Sequence, residues 1–262
     1  MGFVIEIRGL SKVYPTPERP QGLKVLDDIA FGVEEGEFLT VVGPSGCGKT
    51  TLLEIMAGLR KPTSGGIYLD GRMITDPDPA IGIVFQEEST FPWLTVEENI
   101  GFGLRMKGVG KDERERQVQE VIDLVELPGF EKRYPFELSG GMRQRVSLAR
   151  TIIMHPRVIL MDEPFGALDE QTRLTLGLEI LRIAERTQST IALITHSINE
   201  AVLLSDRIVV LTRRPGRVKS VIPSKLAKPR SVDTLSDALF AKLVGQIWKD
   251  LREEGYRERD ED

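Results

Sequence analysis

The 262-residue chain has a single cysteine, Cys47, and only two histidines, His155 and His196. One cysteine excludes an intramolecular disulfide and fits a reducing compartment. No run approaches the ~20 apolar residues that a membrane-crossing helix needs, and the N-terminus lacks the pattern of a secretion signal. If the protein works at a membrane, another chain is expected to hold it there. Positive charge is not in excess: 35 lysines and arginines stand against 40 aspartates and glutamates, and the net charge of −5 argues against a nucleic-acid scaffold. No repeat or low-complexity segment stands out. What remains, at 40% hydrophobic and 29% charged residues, is a globular composition with material for a substantial core.

The most informative stretch is Gly43-Pro44-Ser45-Gly46-Cys47-Gly48-Lys49-Thr50-Thr51. Phe38–Val42 before it reads as a buried strand, and Leu52–Ala57 after it as a helix. In that context G-x-x-x-x-G-K-T describes a phosphate site. Its glycines let the backbone turn tightly, successive N–H groups face an anion, and the helix N-terminus adds partial positive charge. Lys49 is expected to reach the β- and γ-phosphates, and the Thr50 hydroxyl to ligate Mg²⁺. Cys47 reads as a small residue supplying an N–H; the helix N-terminus also suggests a lowered thiol pKa.

Around this loop the chain reads in order. Phe3–Arg8 alternates as a half-buried strand, followed by Tyr14, a loop with Pro15, Pro17 and Pro20, and strand character again at Val25–Ile29. Together they make an antiparallel layer ahead of the phosphate loop. Tyr14 is either an ordinary strand aromatic or a face for adenine. Gly58–Gly66 reads as a loop, and Ile67–Gly71 and Ile81–Phe85 as strands. Gln86, at the end of the second, either leaves the core or sets its amide beside Mg²⁺ and the attacking water.

Residues 87–156 turn helical. Thr95 and Glu98 form a capping box, and Val118, Val121, Ile122 and Val125 make one apolar helix face. Phe91 and Trp93 flank Pro92, as local core or as a socket for a partner. Ser139 is an N-cap, and Gly140-Gly141 opens the next helix, where propensity disfavours glycine, so a second anion site is expected there. Val158–Met161 is an apolar strand ending in Asp162, which would hold Mg²⁺, and Glu163, which would point the other way and polarise water. Thr190–Thr195 is a strand ending at His196, placed to bond a γ-phosphate; His155 reads as a helix C-terminal cap. Residues 207–222 read as two closing strands and Ser231–Glu254 as mainly helical.

The ordered set Tyr14, phosphate loop, Gln86, Leu138-Ser139-Gly140-Gly141-Met142, Asp162-Glu163, Ala167-Leu168-Asp169 and His196 resembles the ATP-binding subunit of ABC transporters. That resemblance implies an α/β P-loop NTPase core, a mixed sheet with flanking helices, an N-terminal antiparallel layer and an inserted helical subdomain. The expected division is 1–222 for the ATPase, with the helical part near 87–156, and 223–262 for a helical extension and charged tail. It further implies ATP and Mg²⁺ as cofactors, catalysis by Glu163, His196 and Lys49, and a head-to-tail homodimer with Ser139, Gly141 and Asp169 at the interface. Partners would be transmembrane permease subunits, touched by Gln86, Phe91 and Trp93, and through them a solute-binding protein, at the cytoplasmic face of the membrane. Phe85-Gln86-Glu87, Phe91–Val96, Gly141–Arg145, Phe165–Asp169 and Arg213–Arg217 resemble the nitrate/sulfonate/taurine importers more narrowly. Two departures are present: Met142 stands where the commonest signature has glutamine, although this narrower group tolerates methionine, and Glu87-Glu88-Ser89-Thr90 is more acidic than expected of the group. The alternative is a soluble ABC ATPase working on nucleic acid or the ribosome, which usually carries two cassettes or a long coiled coil, neither visible here.

Overall fold

The computed structural model describes residues 2–17, 19–86, 89–166 and 168–256. Glu87, Glu88, Ala167 and the last six residues of the charged tail lie outside them. The strands are β1 (Phe3–Thr16), β2 (Arg19–Glu34), β3 (Phe38–Val42), β4 (Ser64–Leu69), β5 (Arg72–Ile74), β6 (Ile81–Val84), β7 (Val158–Asp162), β8 (Thr190–Thr195), β9 (Arg207–Leu211) and β10 (Val218–Pro223). The helices are α1 (Lys49–Met56), α2 (Val96–Met106), α3 (Lys111–Leu124), α4 (Gly140–Ile152), α5 (Glu170–Thr187), α6 (Ile198–Leu204) and α7 (Ala238–Tyr256), with short 3-10 turns at Pro135–Glu137 and Val232–Ser236.

Two sheets form. The first is antiparallel in the order β2-β1-β4-β5, and the second runs β10-β9-β3-β8-β7-β6. In the second sheet β6, β7, β8, β3 and β9 are mutually parallel and only β10 is antiparallel. Every residue of β3, β7 and β8 is buried, as expected of parallel strands covered on both faces. Their side chains alternate between two cores. Val158, Leu160, Ala192 and Ile194 face the antiparallel sheet and α1. Ile159, Met161, Ile191 and Leu193 face the core shared with the other helices.

The sequence expectations hold at several caps. Thr95 and Glu98 form both bonds of a capping box, and the Ser139 hydroxyl accepts from the Met142 N–H. Val118, Val121, Ile122 and Val125 are buried together. Three expectations fail. The proline-rich stretch is not an open loop, because β1 runs to Thr16 and pairs with β2 through Tyr14–Leu23 and Thr16–Arg19. Beyond Ser11, β1 has no ladder to β4, so one side of it is an edge, where a missing proline N–H costs little. The loop expected to reach Gly66 ends earlier, at Ser64, and β5 adds a hairpin that three residues could not announce. Finally, α4 ends at Ile152, and His155 lies beyond the cap with φ 50°, exposed. The C-cap is Ile153, and His155 meets the helix end through its backbone N–H, which donates to the Ile152 carbonyl at 2.9 Å.

The C-terminal segment, hard to read in sequence, is fixed by charge as well as by Phe240, Leu243 and Ile247 in the main core. Arg230, with 1% of its side chain exposed, donates to the Leu203 carbonyl and, at 3.2 Å, to Asp206. Lys228 reaches the same carboxylate at 2.8 Å but is half-exposed. Asp206 also accepts from the Phe38 N–H at the start of β3. Breaking a buried pair strands the other charge, whereas an exposed pair contributes little. Replacement of Arg230 by Met is therefore expected to lower stability by about 2 kcal/mol, roughly 5 °C in Tm, while Lys228→Met costs under about 1 kcal/mol. Thermal melts of both variants check this; equal melting temperatures would remove Arg230 as the anchor.

Candidate functional site

The parallel strands all end at one edge of the second sheet, which is where ligands of open α/β sheets bind. From β3 the chain enters the loop 43–48, whose turn uses Gly46 at φ 74° and Gly48 at φ 105°, the latter capping α1. A side chain on Gly48 would also meet Leu26 and Val25 at 2.8 Å. Lys49 is 7% exposed, and its Nζ donates to the Gly43 carbonyl at 2.9 Å and the Pro44 carbonyl at 3.2 Å. Two of its three donors thus brace the loop and one is left for a ligand.

A cleft of about 610 Å³ opens over this loop, lined by Ser45, Gly46, Gly48, Lys49, Thr50 and Thr51. Across from them stand Glu163 and His196, and Leu23, Val25 and Arg214 complete the wall. The structure gathers the first eight of these, all named from the sequence, around one cleft. Sequence reading missed Leu23, Val25 and Arg214, which come from distant parts of the chain. Arg214 donates to the Gly46 carbonyl from Nε at 3.1 Å and Nη2 at 2.9 Å, so a guanidinium joins the Lys49 ammonium in bracing the loop. The Arg213–Arg217 motif was its only local signal.

Asp162 ends β7 on the side facing α1. Burial pushes its carboxyl above the usual carboxylate range, and a hydrogen bond with the Thr50 hydroxyl and the charge of Lys49 pull it back. Its Oδ1 is buried without a hydrogen-bond partner. Among the described residues no three histidine, cysteine or carboxylate side chains gather to hold a metal by themselves. The pairing of one buried carboxylate oxygen with a threonine hydroxyl suits Mg²⁺, which takes few protein ligands and completes its shell with water and phosphate.

At Glu163 the strand breaks: φ is 42° and its N–H donates to the Ile194 carbonyl at 2.8 Å. The turn throws its side chain away from Asp162 and toward β8, where Glu163 Oε2 lies 2.8 Å from His196 Nδ1. A carboxylate only accepts, so the proton in this contact is on Nδ1.

The remaining predicted residues do not line the cleft. Gly43, Pro44 and Cys47 lie in the loop itself, and the Cys47 N–H donates to Pro44. Burial pushes the Cys47 thiol pKa up, so the lowered value expected from the helix N-terminus is overturned by desolvation. Tyr14 stands beside α1, its hydroxyl 3.4 Å from Thr51 Oγ1, with Lys12 and Arg60 over its ring at 5.1 and 5.3 Å. Gln86 is exposed beside Gly166, because β6 is the edge strand, one place outward from β7. The aromatic pair stays in contact, with ring centroids 5.6 Å apart, but its two rings differ in exposure. Phe91 packs on Phe102 at 4.6 Å under the Arg150 guanidinium at 4.3 Å, whereas Trp93 is 70% exposed.

The second glycine-opened helix start, Ser139-Gly140-Gly141, is also outside the cleft. A Cβ on Gly140 would lie 3.1 Å from Leu168, and one on Gly141 3.2 Å from Thr172. The paired glycines allow α4 to approach the start of α5, where Asp169 is the N-cap and accepts from the Thr172 N–H. Ser139 and Asp169 are both exposed.

The ABC transporter family model matches residues 26–166. An uncharacterised ABC transporter ATP-binding protein of Methanocaldococcus jannaschii is 47% identical over 95% of this chain and 93% of its own. The aliphatic sulfonates import ATP-binding protein of Bacillus cereus is 47% identical, covering 93% and 95%. A taurine import ATP-binding protein of Roseobacter denitrificans is 46% identical, covering 82% and 80%. Among solved structures, a dimeric ATP-binding cassette in a post-hydrolysis state with ADP and phosphate superposes with a TM-score of 0.72 at 32% identity, over 84% of this chain and 99% of that one. Likeness at this level, over nearly the whole length, places this protein in the ABC transporter family as one of its ATP-hydrolysing, ATP-binding subunits.

Proposed function

We propose that two copies of this chain drive an importer for a small sulfonate, of the aliphatic sulfonate or taurine kind, by closing head-to-tail on ATP and opening after hydrolysis. The solute class rests on the relatives' names, and the dimer on the dimeric cassettes. The observation that carries the reading is the cleft in which the phosphate loop meets the Glu163–His196 pair, with Asp162 hydrogen-bonded to Thr50 at its edge. A separate permease would hold the chain at the cytoplasmic face of the membrane, since no helix among the described residues is long and apolar enough to cross one. A solute-binding protein would deliver cargo to that permease. Trp93, with Gln86 nearby in sequence and Phe91 behind it, is the proposed permease contact.

In this reading the loop N–H groups and the free donor of Lys49 hold the β- and γ-phosphates. Tyr14 would take the adenine, once its ring exchanges one of its two cations for a base. Thr50 and the unpartnered Oδ1 of Asp162 would hold Mg²⁺, which neutralises developing phosphate charge, and Gln86 would reach it only after moving inward. Glu163 accepts the proton of the attacking water. Its present contact sets a condition. Neutral His196 has one N–H, and that is committed to Glu163, so a hydrogen bond from Nε2 to a γ-phosphate requires the contact to open or the ring to gain a second proton. Ser139, Gly140 and Gly141, turned away from their own cleft, would complete the cleft of the second copy, with Asp169 beside them in the interface.

Two measurements test this. Glu163→Gln should keep ATP binding and lose turnover by about a hundredfold or more; equal turnover would remove Glu163 as the base. Specific Mg-ATPase activity should rise with protein concentration, and Ser139→Arg should abolish that rise. Concentration-independent activity in a proven monomer would overturn the shared site.

A further inference from the structure

Besides the buried Asp162, one more carboxylate near the cleft is mostly withdrawn from water, and the reading above does not use it. It is Glu200, in the first turn of α6, with 12% of its side chain exposed. Burial pushes its carboxyl upward, and a hydrogen bond from Thr195 and the charge of Arg173 counter that. Its two oxygens face two different parts of the molecule.

Oε2 accepts from Thr195 Oγ1 at 2.6 Å. Thr195 is the last residue of β8, immediately before His196, and the same Oγ1 accepts from the Ser197 N–H at 3.0 Å. The backbone on both sides of His196 is therefore tied to one hydroxyl, whose proton is directed by Glu200. The His196 side chain is itself 58% exposed, so packing does little to fix it, and its ring position depends on this backbone and on Glu163.

Oε1 lies 3.6 Å from Arg173 Nε, a buried atom with no hydrogen-bond partner of its own. Arg173 Nη2 donates to the Leu168 carbonyl at 3.0 Å. Leu168 precedes Asp169, and a Cβ on Gly140 of the Ser139-Gly140-Gly141 helix start would lie 3.1 Å from its side chain. A single train of contacts thus runs from that helix start through Leu168, Arg173, Glu200 and Thr195 to the residues flanking His196.

The geometry points to Glu200 and Arg173 as positioning residues that tie His196 to the Leu168–Asp169 turn, so that contact of that turn with a second copy sets the histidine for hydrolysis. This rests on the proposed dimer and on the proposed roles of Glu163 and His196. A purely structural staple would use the same distances, but its loss would spread over stability, nucleotide affinity and rate together. A positioning role confines the loss to the rate, and its two members act as a unit.

The test is steady-state Mg-ATPase kinetics of the full chain, with thermal melts and nucleotide binding on the same samples. Glu200→Gln keeps an oxygen for Thr195 and turns an NH2 toward Arg173, removing both the charge and the acceptor that Arg173 faces. It is expected to lower kcat about tenfold with KM for ATP within about twofold of wild type. Arg173→Met is expected to do the same, and the double variant to fall no further than the weaker single one. If Arg173→Met does not fold, Arg173→Gln takes its place in the cycle. Losses that multiply in the double variant, or a rise in KM that accompanies the fall in kcat, overturn the proposal. Glu163→Gln, run in parallel, separates the two levels. Its inactivity beside a fully active Glu200→Gln overturns the tie alone, whereas full activity of Glu163→Gln overturns the reading on which it rests.

Discussion

The constraint on which this molecule depends is that β3, β7 and β8 are buried on both faces along their whole length. A strand with no wet face carries a polar side chain inside it only where that group is paired, as Thr40 is with Ser205, because an unpaired one would cost several kcal/mol; free polar groups are confined to its ends. The strands are parallel, so their polar ends fall at one edge. The phosphate loop, Asp162, Glu163 and His196 are therefore neighbours in space although more than a hundred residues separate the first from the last. The alternation of side chains between two cores then sorts them. Asp162 continues the face of Val158 and Leu160 and meets Thr50, whereas Glu163 leaves the strand through a left-handed turn and meets His196.

Burial is also what gives the site its reactive geometry. Asp162 and Glu200 are both pushed toward the protonated form by desolvation and are held back by hydroxyl donors and nearby cations. Cys47 moves the same way: burial outweighs the pull of Lys49, Arg214 and the loop N–H groups, and its thiol is driven opposite to what its helix position alone suggests.

Much of this was legible in the sequence where the signal is local. A glycine-rich turn between a strand and a helix, two acids closing an apolar strand, and caps at Thr95 and Ser139 each announce themselves within ten residues. What escaped is non-local. Arg214 braces Gly46 across 168 residues of chain, and Arg230 binds Asp206 because the C-terminal segment returns beneath β3. The long β1–β2 hairpin was masked by prolines that propensity reads as loop, since nothing local says that this part of the strand is an edge. The paired glycines before Met142 were noticed but their local cause was not, because it lies in the approach of Leu168 and Thr172.

One buried amide has a mechanical consequence. Asn99 is fully buried in α2, accepts from the Phe91 N–H, and donates to the carbonyls of Phe91, Leu94 and Thr95. The loop that carries Trp93 is thereby riveted to the helix at both of its ends. Trp93 projects into solvent, yet it stands on a stiff mount, and a push against its ring is delivered to α2 with little compliance in between. A handle of that kind transmits displacement in either direction at the same gain.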